Sequence, residues 1–460
     1  MNGHAWIKLT GRRVFIHGYL GILGLAVLGL ASLCGLGPGE ALAEEKNPPT
    51  TSLPELRMSL HEAMEAAVNE NPTVQLFKER IIQAQDQANT QLGTLLPNIS
   101  ATMSGARRRF FLGSFGGSPS TSKPLDFYDA RAFLTQNIFS LSLIQKWRAA
   151  KTNIEVASLD SETQKRDTMA TTGLAYLETL RAQAAVAARM ADVKLNQELL
   201  RLAMERKSAG MATSLDVTRA KVQLENEKQR LLVAKNDYGR ATLNLIRAMG
   251  ISFDVKLMLT DKLTMTNVPH QTVEEALEVA RENRVELKAQ KRRQRLAQLT
   301  LSSVTMERVP SLTGTGDVGM IGDQIPNALT TDNVLVLMSI PIFDGGQREG
   351  RISENRSLVR QETLKTQDVQ YQVTLEVRDA LITLESAKQQ VEVAQEGLRL
   401  SLEELELARQ RFSVGVATNI EVTNAQTSVA QARDNLIEGL FNFNASRVNL
   451  ARAQGRLDTL

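Results

Sequence analysis

Apolar and small residues recur every seven positions along one long segment of the chain, between residues 345 and 412. Two registers, three places apart, follow this period. Their members are Val377, Leu384, Val391, Leu398, Leu405 and Phe412 in the first, and Ala380, Ala387, Ala394, Ser401 and Ala408 in the second. A strict seven-residue period imposes a left-handed supercoil on packed helices, and small residues let the partner helix approach closely. Because the segment contains no proline, the pattern predicts one helix of roughly 100 Å.

Three further segments carry a helical pattern. Residues 142–207 predict a second long helix with a less regular repeat, and residues 215–249 and 420–454 predict two helices that return along the long ones. Each long helix and its return helix therefore form a predicted coiled-coil hairpin. Helices of a small bundle are the alternative, but an unbroken run of this length would greatly overshoot one small domain.

The segments that precede the long helices alternate apolar and polar residues instead. This two-residue period occurs at 99–104, 128–138, 311–320 and 334–342, with loops expected at 113–124 and 322–331. Alternation over about ten residues is typical of membrane β-barrel strands. Four strands of a soluble sandwich are the alternative if the strands stand alone. The open edges of four strands cannot lie in lipid with unpaired backbone groups, so several chains must contribute, and three chains would supply twelve strands.

The chain repeats itself, most clearly at the two hairpin turns. The run RKSAGMATSLDVTRA at 206–220 returns as RFSVGVATNIEVTNA at 411–425. The order of helix, strand, strand, long helix, turn and helix occurs in both halves. We therefore assign a first repeat to residues 58–250, a linker to 251–271 and a second repeat to 272–460. The expected fold class is an internally duplicated α+β membrane protein with long coiled-coil hairpins and four β-strands per chain.

The N-terminus has the composition of an export signal. A basic start, an apolar core at residues 20–33 and a small-x-small cleavage site before Glu44 predict a signal peptide at 1–43, followed by an N-terminal tail at 44–57. A membrane anchor is the alternative, but the apolar run is too short for one. The only cysteine, Cys34, lies inside the signal. We therefore expect a mature chain without a disulfide and without an N-terminal lipid anchor.

Composition and motifs exclude several classes of function. The net charge is +3 with both signs interspersed, so the sequence shows no nucleic-acid-binding surface. No nucleophile motif, phosphate-binding loop or dinucleotide fingerprint occurs. His61 and His270 are better explained as surface residues than as a shared metal site. We therefore expect no enzymatic activity, no cofactor and no metal.

With these features in place, the chain resembles the TolC-like outer membrane factor family over nearly all of its mature length. The resemblance rests on the duplicated order of elements, the run IPIFDGG at 340–346 and the two Gly-x-Ala-Thr turns. It implies a homotrimer in the outer membrane of a Gram-negative bacterium, with a twelve-stranded barrel in the lipid and a periplasmic tunnel of twelve helices. It also implies the export duct of a tripartite efflux or type I secretion system. The implied partners are a periplasmic adaptor and an inner-membrane RND or ABC transporter.

The resemblance assigns two roles to residues around the turns. The turns themselves are expected to contact the adaptor, through Gly210, Ala212, Thr213, Gly415, Ala417 and Thr418. The residues expected to form the periplasmic gate are Asp216, Arg219, Phe412, Glu421 and Asn424.

Three of these positions depart from the family pattern. Many members have a tyrosine at Phe412, and well-studied members have an arginine at Ala417 and an aspartate at Asn424. The closing contacts made by those groups are therefore weakened or shifted here. We hypothesise that Arg219 bridges to Glu421 between neighbouring hairpins. The alternative is that the acids near the helix starts are simply solvated there, where negative charge is favoured.

Two other architectures share part of the pattern. A periplasmic adaptor also has a helical hairpin, but normally one, flanked by compact β domains. A soluble coiled-coil scaffold would not need the strands. Because the pump makes most of the selection in such systems, drugs, metals and proteins all stay open as cargo.

Overall fold

The computed structural model describes residues 54–111, 119–266 and 269–459. The expected signal peptide, most of the tail and part of the loop at 113–124 lie outside these ranges. Within them, no helix combines the length and the apolar character needed to cross a bilayer.

The first half follows the predicted order of elements with two differences: a short strand precedes it, and two helices rather than one precede the pair of long strands. Its elements are β1 (Glu55–Met58), α1 (Leu60–Glu70), α2 (Pro72–Gly93), β2 (Asn98–Arg108), β3 (Leu125–Phe139), α3 (Leu141–Ser208) and α4 (Ser214–Met249). The second half repeats the order with β4 (Lys256–Leu259), α5 (Val273–Asn283), α6 (Val285–Thr305), β5 (Ser311–Gly322), β6 (Leu329–Ser339), α7 (Gln347–Ser413) and α8 (Asn419–Gln454). At 68 and 67 residues, α3 and α7 are each about 100 Å long.

The predicted long and return helices are confirmed to within about two residues at each end, whereas one predicted strand is wrong at its end. β6 stops at Ser339, so Ile340 and Ile342 do not belong to its face. Pro341 explains the early stop, because proline has no N–H to donate and restricts the residue before it. The expected loop at 322–331 holds a 3₁₀ turn, Ile325–Asn327, and the start of β6.

The seven-residue repeat of α7 is its buried face. Val377 and Val391 are fully buried in a core that α7 shares with α5 and α8. Near the turn, a second core joins Leu405 of α7 to Val422 and Val429 of α8. The pattern that predicted the helix therefore also predicted its packing surface.

The four longer strands form one antiparallel sheet in the order β2-β3-β5-β6. The register aligns one row of residues on each face. The rows are Ile99, Leu134, Gly316 and Val334 on one face, and Ser100, Phe133, Asp317 and Asn333 on the other. The first face is largely apolar and exposed in the single chain, with Val334 at 83%. β2 and β6 are the outer strands, so each has one edge that no described strand of the chain covers.

A second, two-stranded sheet ties the tail to the linker. β1 pairs in parallel with β4. Just beyond β4, Asp261 accepts hydrogen bonds from the Leu60 backbone N–H at 2.7 Å and from the Tyr176 hydroxyl at 2.9 Å. Tyr176 is fully buried in the main core of the first half. The first repeat therefore completes its core with residues of the linker.

Candidate gate and adaptor-contacting turns

Both hairpin turns close with the same backbone conformation. Gly210 and Gly415 have φ angles of +73° and +82°. This left-handed region suits glycine, which has no Cβ to clash there. The N–H of the residue after each glycine donates to a carbonyl of the long helix one turn back, at 2.8 and 3.0 Å. Each glycine therefore ends its long helix in the left-handed conformation typical of a glycine cap.

The tips of the turns are exposed. A methyl group built on Gly210 would meet no atom within 4 Å. The apolar residues Met211, Val414 and Val416 around the two glycines are 64%, 74% and 68% exposed. All six residues predicted to contact the adaptor lie in these two connections, between α3 and α4 and between α7 and α8.

The acids at equivalent positions of the two turns have different partners. Thr213 N–H donates to Asp216 Oδ2 at 2.9 Å, and Asp216 N–H donates to the Thr213 hydroxyl at 3.3 Å, which completes a capping box. Hydrogen bonds from the hydroxyl and the N–H of Thr213 hold the pKa of Asp216 below its usual range. At the second turn, Glu421 instead lies 3.6 Å from Arg411.

One contact joins the two turns directly. The guanidinium of Arg206, at the end of α3, lies over the Phe412 ring with its Cζ 4.3 Å from the ring centre. Arg206 Nη1 also donates a hydrogen bond to the Phe412 carbonyl. A guanidinium above an aromatic face is attracted by the ring's quadrupole. Phe412, which lacks a hydroxyl, is therefore tied to the first turn through its ring and its carbonyl.

Two of the five predicted gate residues, Arg219 and Asn424, line the same groove between the hairpins. The groove has a volume of about 330 Å³ and is bounded by α3, α4 and α8. Gln426 also lines it, is 7% exposed, and has an Nε2 that meets no acceptor in the described ranges. Glu421 is held by an arginine of its own hairpin. A bridge from Arg219 to Glu421 of a neighbouring chain stays a prediction.

Further from the turns, a buried ionic network joins the first hairpin to the second. Arg189 of α3 is 9% exposed, lies 3.1 Å from Asp192, and pairs with Asp434 of α8. Arg433 of α8 reaches Asp192 at 2.7 Å. Burial raises the pKa of Asp192, and the two arginines oppose that rise. Arg189 and Asp192 are the buried members, so removal of either would leave the other charged and buried with one partner fewer, and the network holds α3 against α8.

Another buried acid, Glu227 of α4, lies near this network. It is 3% exposed, and its Oε1 accepts hydrogen bonds from Arg230 at 2.9 Å and Gln223 at 3.2 Å. Burial raises the pKa of Glu227, and Arg230 opposes the rise. These acids do not build a metal site, since no cluster of three or more His, Cys, Asp or Glu side chains in the described ranges is placed to hold an ion.

The polar face of the sheet carries its own charge cluster, for which the sequence gives no local signal. Arg131 of β3 pairs with Asp317 of β5, lies 3.3 Å from Asp129, and donates to Thr331 Oγ1 of β6 at 3.0 Å. Gly319 stands opposite Arg131 in the register, and a methyl group there would come within 2.9 Å of the Arg131 Cα. The glycine therefore leaves room for one arginine to reach across three strands.

A family model and two known proteins match most of this chain. The family described as Outer membrane efflux protein matches residues 63–251 and 276–456. Outer membrane protein TolC of Escherichia coli is 22% identical over 342 residues, which cover 71% of this chain and 69% of TolC. The probable efflux pump outer membrane protein TtgC of Pseudomonas putida is 22% identical over 386 residues, which cover 80% of this chain and 77% of TtgC.

Solved structures share the fold. The CmeC outer membrane channel of Campylobacter jejuni superposes with a TM-score of 0.77 at 16% identity and covers 86% of both chains. The outer membrane protein VceC of Vibrio cholerae superposes with a TM-score of 0.74 at 16% identity, over 86% of this chain and 96% of VceC.

Proposed function

The chain belongs to the outer membrane efflux protein family, and from this premise we propose that it is the passive export duct of a tripartite efflux or type I secretion system. It is an outer-membrane channel protein of a Gram-negative bacterium, from a family of non-enzymatic transport proteins. In the proposed assembly, a periplasmic adaptor and an inner-membrane RND or ABC transporter deliver the cargo to it.

The observation that carries this proposal is the four-stranded sheet, with one apolar face, one polar face and two open edges. An apolar face suits lipid, and a polar face with the Arg131–Asp317 pair suits a water-filled pore. In lipid, the free edges of β2 and β6 require partners. Pairing β6 of one chain with β2 of the next, in a homotrimer, closes a twelve-stranded barrel.

The helical hairpins extend this pore into the periplasm. Three chains would contribute six hairpins, and thus twelve long helix segments, to one tunnel wall. The Gly210 and Gly415 turns lie at the ends of α3 and α7 that are farthest from the strands. We therefore propose that these turns meet the adaptor, and that the groups around them form the closed end of the tunnel.

The turn contact can be tested by replacing Gly210 with asparagine. Asparagine tolerates the left-handed conformation, and the space beside Gly210 is open, so the fold should be kept. We expect Gly210→Asn to reduce adaptor cross-linking in cells and to raise accumulation of a fluorescent efflux substrate at least several-fold. Gly239→Asn is the matched control, because Gly239 lies within α4 and also has no atom within 4 Å of its Cβ position. Normal adaptor cross-linking by Gly210→Asn would contradict docking at this turn.

A separate measurement distinguishes the duct from an adaptor or a scaffold. The duct should fractionate with the outer membrane and have the mass of three 50.7 kDa chains, less their signals, in mild detergent. A soluble coiled-coil scaffold would be recovered without detergent, and a periplasmic adaptor would not fractionate with the outer membrane as a trimer extracted by detergent. A folded monomer as the main species in mild detergent would overturn the proposed barrel.

A further inference from the structure

Three consecutive arginines, Arg107 to Arg109, stand where β2 leaves the sheet. β2 begins at Asn98, close to the end of α2, so its other end points away from the helices. If the sheet crosses the outer membrane as proposed, this end reaches the cell surface. The inference below rests on that placement.

The strand register separates these arginines into two groups. Arg107 stands opposite Asp126, and Gly105, two residues earlier, stands opposite Tyr128. By alternation Arg107 shares the apolar face with Ile99, whereas Arg108 shares the polar face with Ser100. Arg109 follows the end of the strand, and continued alternation would return it to the apolar side.

The apolar face has the height of a bilayer core, and it ends just before Arg107. From Tyr128 to Ile138, β3 measures about 33 Å at about 3.3 Å per residue, which is about 25 Å across the membrane for a strand tilted by about 40°. Tyr128 is 41% exposed, and its ring lies 3.5 Å from the Cβ position of Gly105. Tyrosine is typical of the interfacial girdle of membrane proteins. Arg107 therefore stands about 7 Å further along the strand, at the level of lipid headgroups.

At this level the β2–β3 hairpin carries more basic than acidic residues. Arg107 is opposed by Asp126 at 3.7 Å, but the two side chains are 72% and 48% exposed, so the pair is weak. Arg109 and Lys123, on the two sides of the same hairpin, are exposed as well. The hairpin is held beyond the strand by hydrogen bonds between Phe110 and Ser122. A fixed basic hairpin beside an apolar face matches an anionic headgroup attached to lipid chains.

We propose that Arg107 and Arg109 bind phosphate groups on the headgroup of an anionic glycolipid, lipopolysaccharide, in the outer leaflet. Guanidinium groups bind phosphate through paired N–H donors, and the apolar residues below Arg107 contact the acyl chains. Arg108, directed to the pore side, takes no part. The trimer carries one such site on each of its three hairpins.

The test measures binding of lipopolysaccharide to the purified trimer in mild detergent, by native mass spectrometry. We expect Arg107→Gln/Arg109→Gln to weaken the apparent affinity about tenfold or more. Arg108→Gln is the control for position, since it removes one positive charge from the residue between the two, and it should change the affinity less than about twofold. Lipopolysaccharide stripped of its phosphates should bind the unsubstituted trimer as weakly as the intact lipid binds the double variant.

Three outcomes would overturn the proposal. Equal loss in Arg108→Gln would show that net charge alone attracts the lipid. Full binding of the dephosphorylated lipid would show that the apolar face alone does so. Displacement of the lipid by inorganic phosphate, at a phosphate concentration equal to that of the lipid's phosphate groups, would show that the arginines bind free anions rather than the lipid. Membrane fractionation of the same variants tests the proposed function independently of lipid binding. Absence of the chain from the outer membrane would contradict the proposed function itself.

Discussion

At the scale of single residues, the two turns share a backbone and differ in their side-chain contacts. Thr213 and Asp216 close a capping box, whereas Thr418 makes no side-chain cap and Glu421 approaches Arg411. A cap contributes about 1 kcal/mol to a helix start, while an exposed ion pair contributes less. We therefore expect the second turn to be the more easily deformed of the two.

Arg206→Ala should loosen the closed end of the tunnel. The substitution removes the cation–π contact and the charged hydrogen bond to Phe412, worth about 0.5–1 and about 1.5–3 kcal/mol respectively. The open fraction of the trimer should rise about tenfold or more, read as resting conductance in a planar bilayer. Arg201→Ala is the control, because Arg201 lies on the same helix and pairs with Glu205 of that helix on the surface. Equal conductance in the two variants would remove Arg206 from the gate.

At this scale, the sequence was sufficient to predict the turns, but it did not predict the side-chain contacts between the two hairpins. Gly210 and Thr213 make their contacts within a few residues of themselves, so the repeated run at 206–220 and 411–425 located both turns. Arg206 contacts Phe412, which lies 206 residues later in the chain, and no local sequence pattern identifies that partner. Arg189 and Asp434 are separated in the same way.

At the scale of helices and strands, unbroken periodicity decided what could be predicted. α7 and α3 repeat their pattern over many turns, so their bounds were found closely. β1 and β4 have four residues each, too few for alternation to distinguish them from loop. Their parallel pairing depends on the two repeats lying side by side.

The core near the turns can be tested with Leu405→Ala. Leu405 is 6% exposed and packs with Val422 and Val429 of α8. The substitution should lower the free energy of unfolding by about 2–5 kcal/mol, measured by thermal or denaturant unfolding of the detergent-solubilised protein. Glu406→Ala, at the next position but exposed, should cost less than about 0.5 kcal/mol. A similar loss in both variants would contradict the assigned buried face.

The buried acid of α4 predicts a pH dependence. Because burial raises the pKa of Glu227, the folded protein binds its proton more tightly than the unfolded chain does. The stability that Glu227 contributes is therefore present at low pH and is lost as pH rises above its ordinary pKa of 4.5 and through the raised value. Glu227→Gln cannot titrate, so its melting temperature should rise relative to that of the unsubstituted protein as pH increases above about 4.5.

The charged groups around Glu227 do not change the sign of this prediction. Arg230 and Arg189 favour its ionised form, and Asp192 and Asp434 disfavour it, yet burial is the largest effect. Glu225→Gln is the matched control, because Glu225 is an exposed glutamate of the same helix, paired with Lys228. A melting-temperature difference that is constant with pH in Glu227→Gln would show that Glu227 does not titrate differently on folding.

At the scale of the whole molecule, the two faces of the sheet determine which side meets lipid. Val334→Arg would place a charge at mid-height on the apolar face and should cost about 2–4 kcal/mol of assembly free energy. Asn333→Arg, one residue earlier on the polar face, should assemble normally. Trimer yield in outer-membrane fractions measures both. Normal yield of Val334→Arg with loss of Asn333→Arg would reverse the orientation of the sheet.

The bond between Leu60 and Asp261 has a consequence for biogenesis. An exported chain enters the periplasm from its N-terminus. The backbone N–H of Leu60, at the start of α1, therefore has no acceptor until Asp261, 201 residues later, has also been exported. Helices form within microseconds, but a contact between residues so far apart cannot form until the later residue has been exported. During translocation, the first repeat therefore displays its long apolar stripes before its core can close. This interval is when periplasmic chaperones and proteases compete for the chain, and the arrival of the linker ends it.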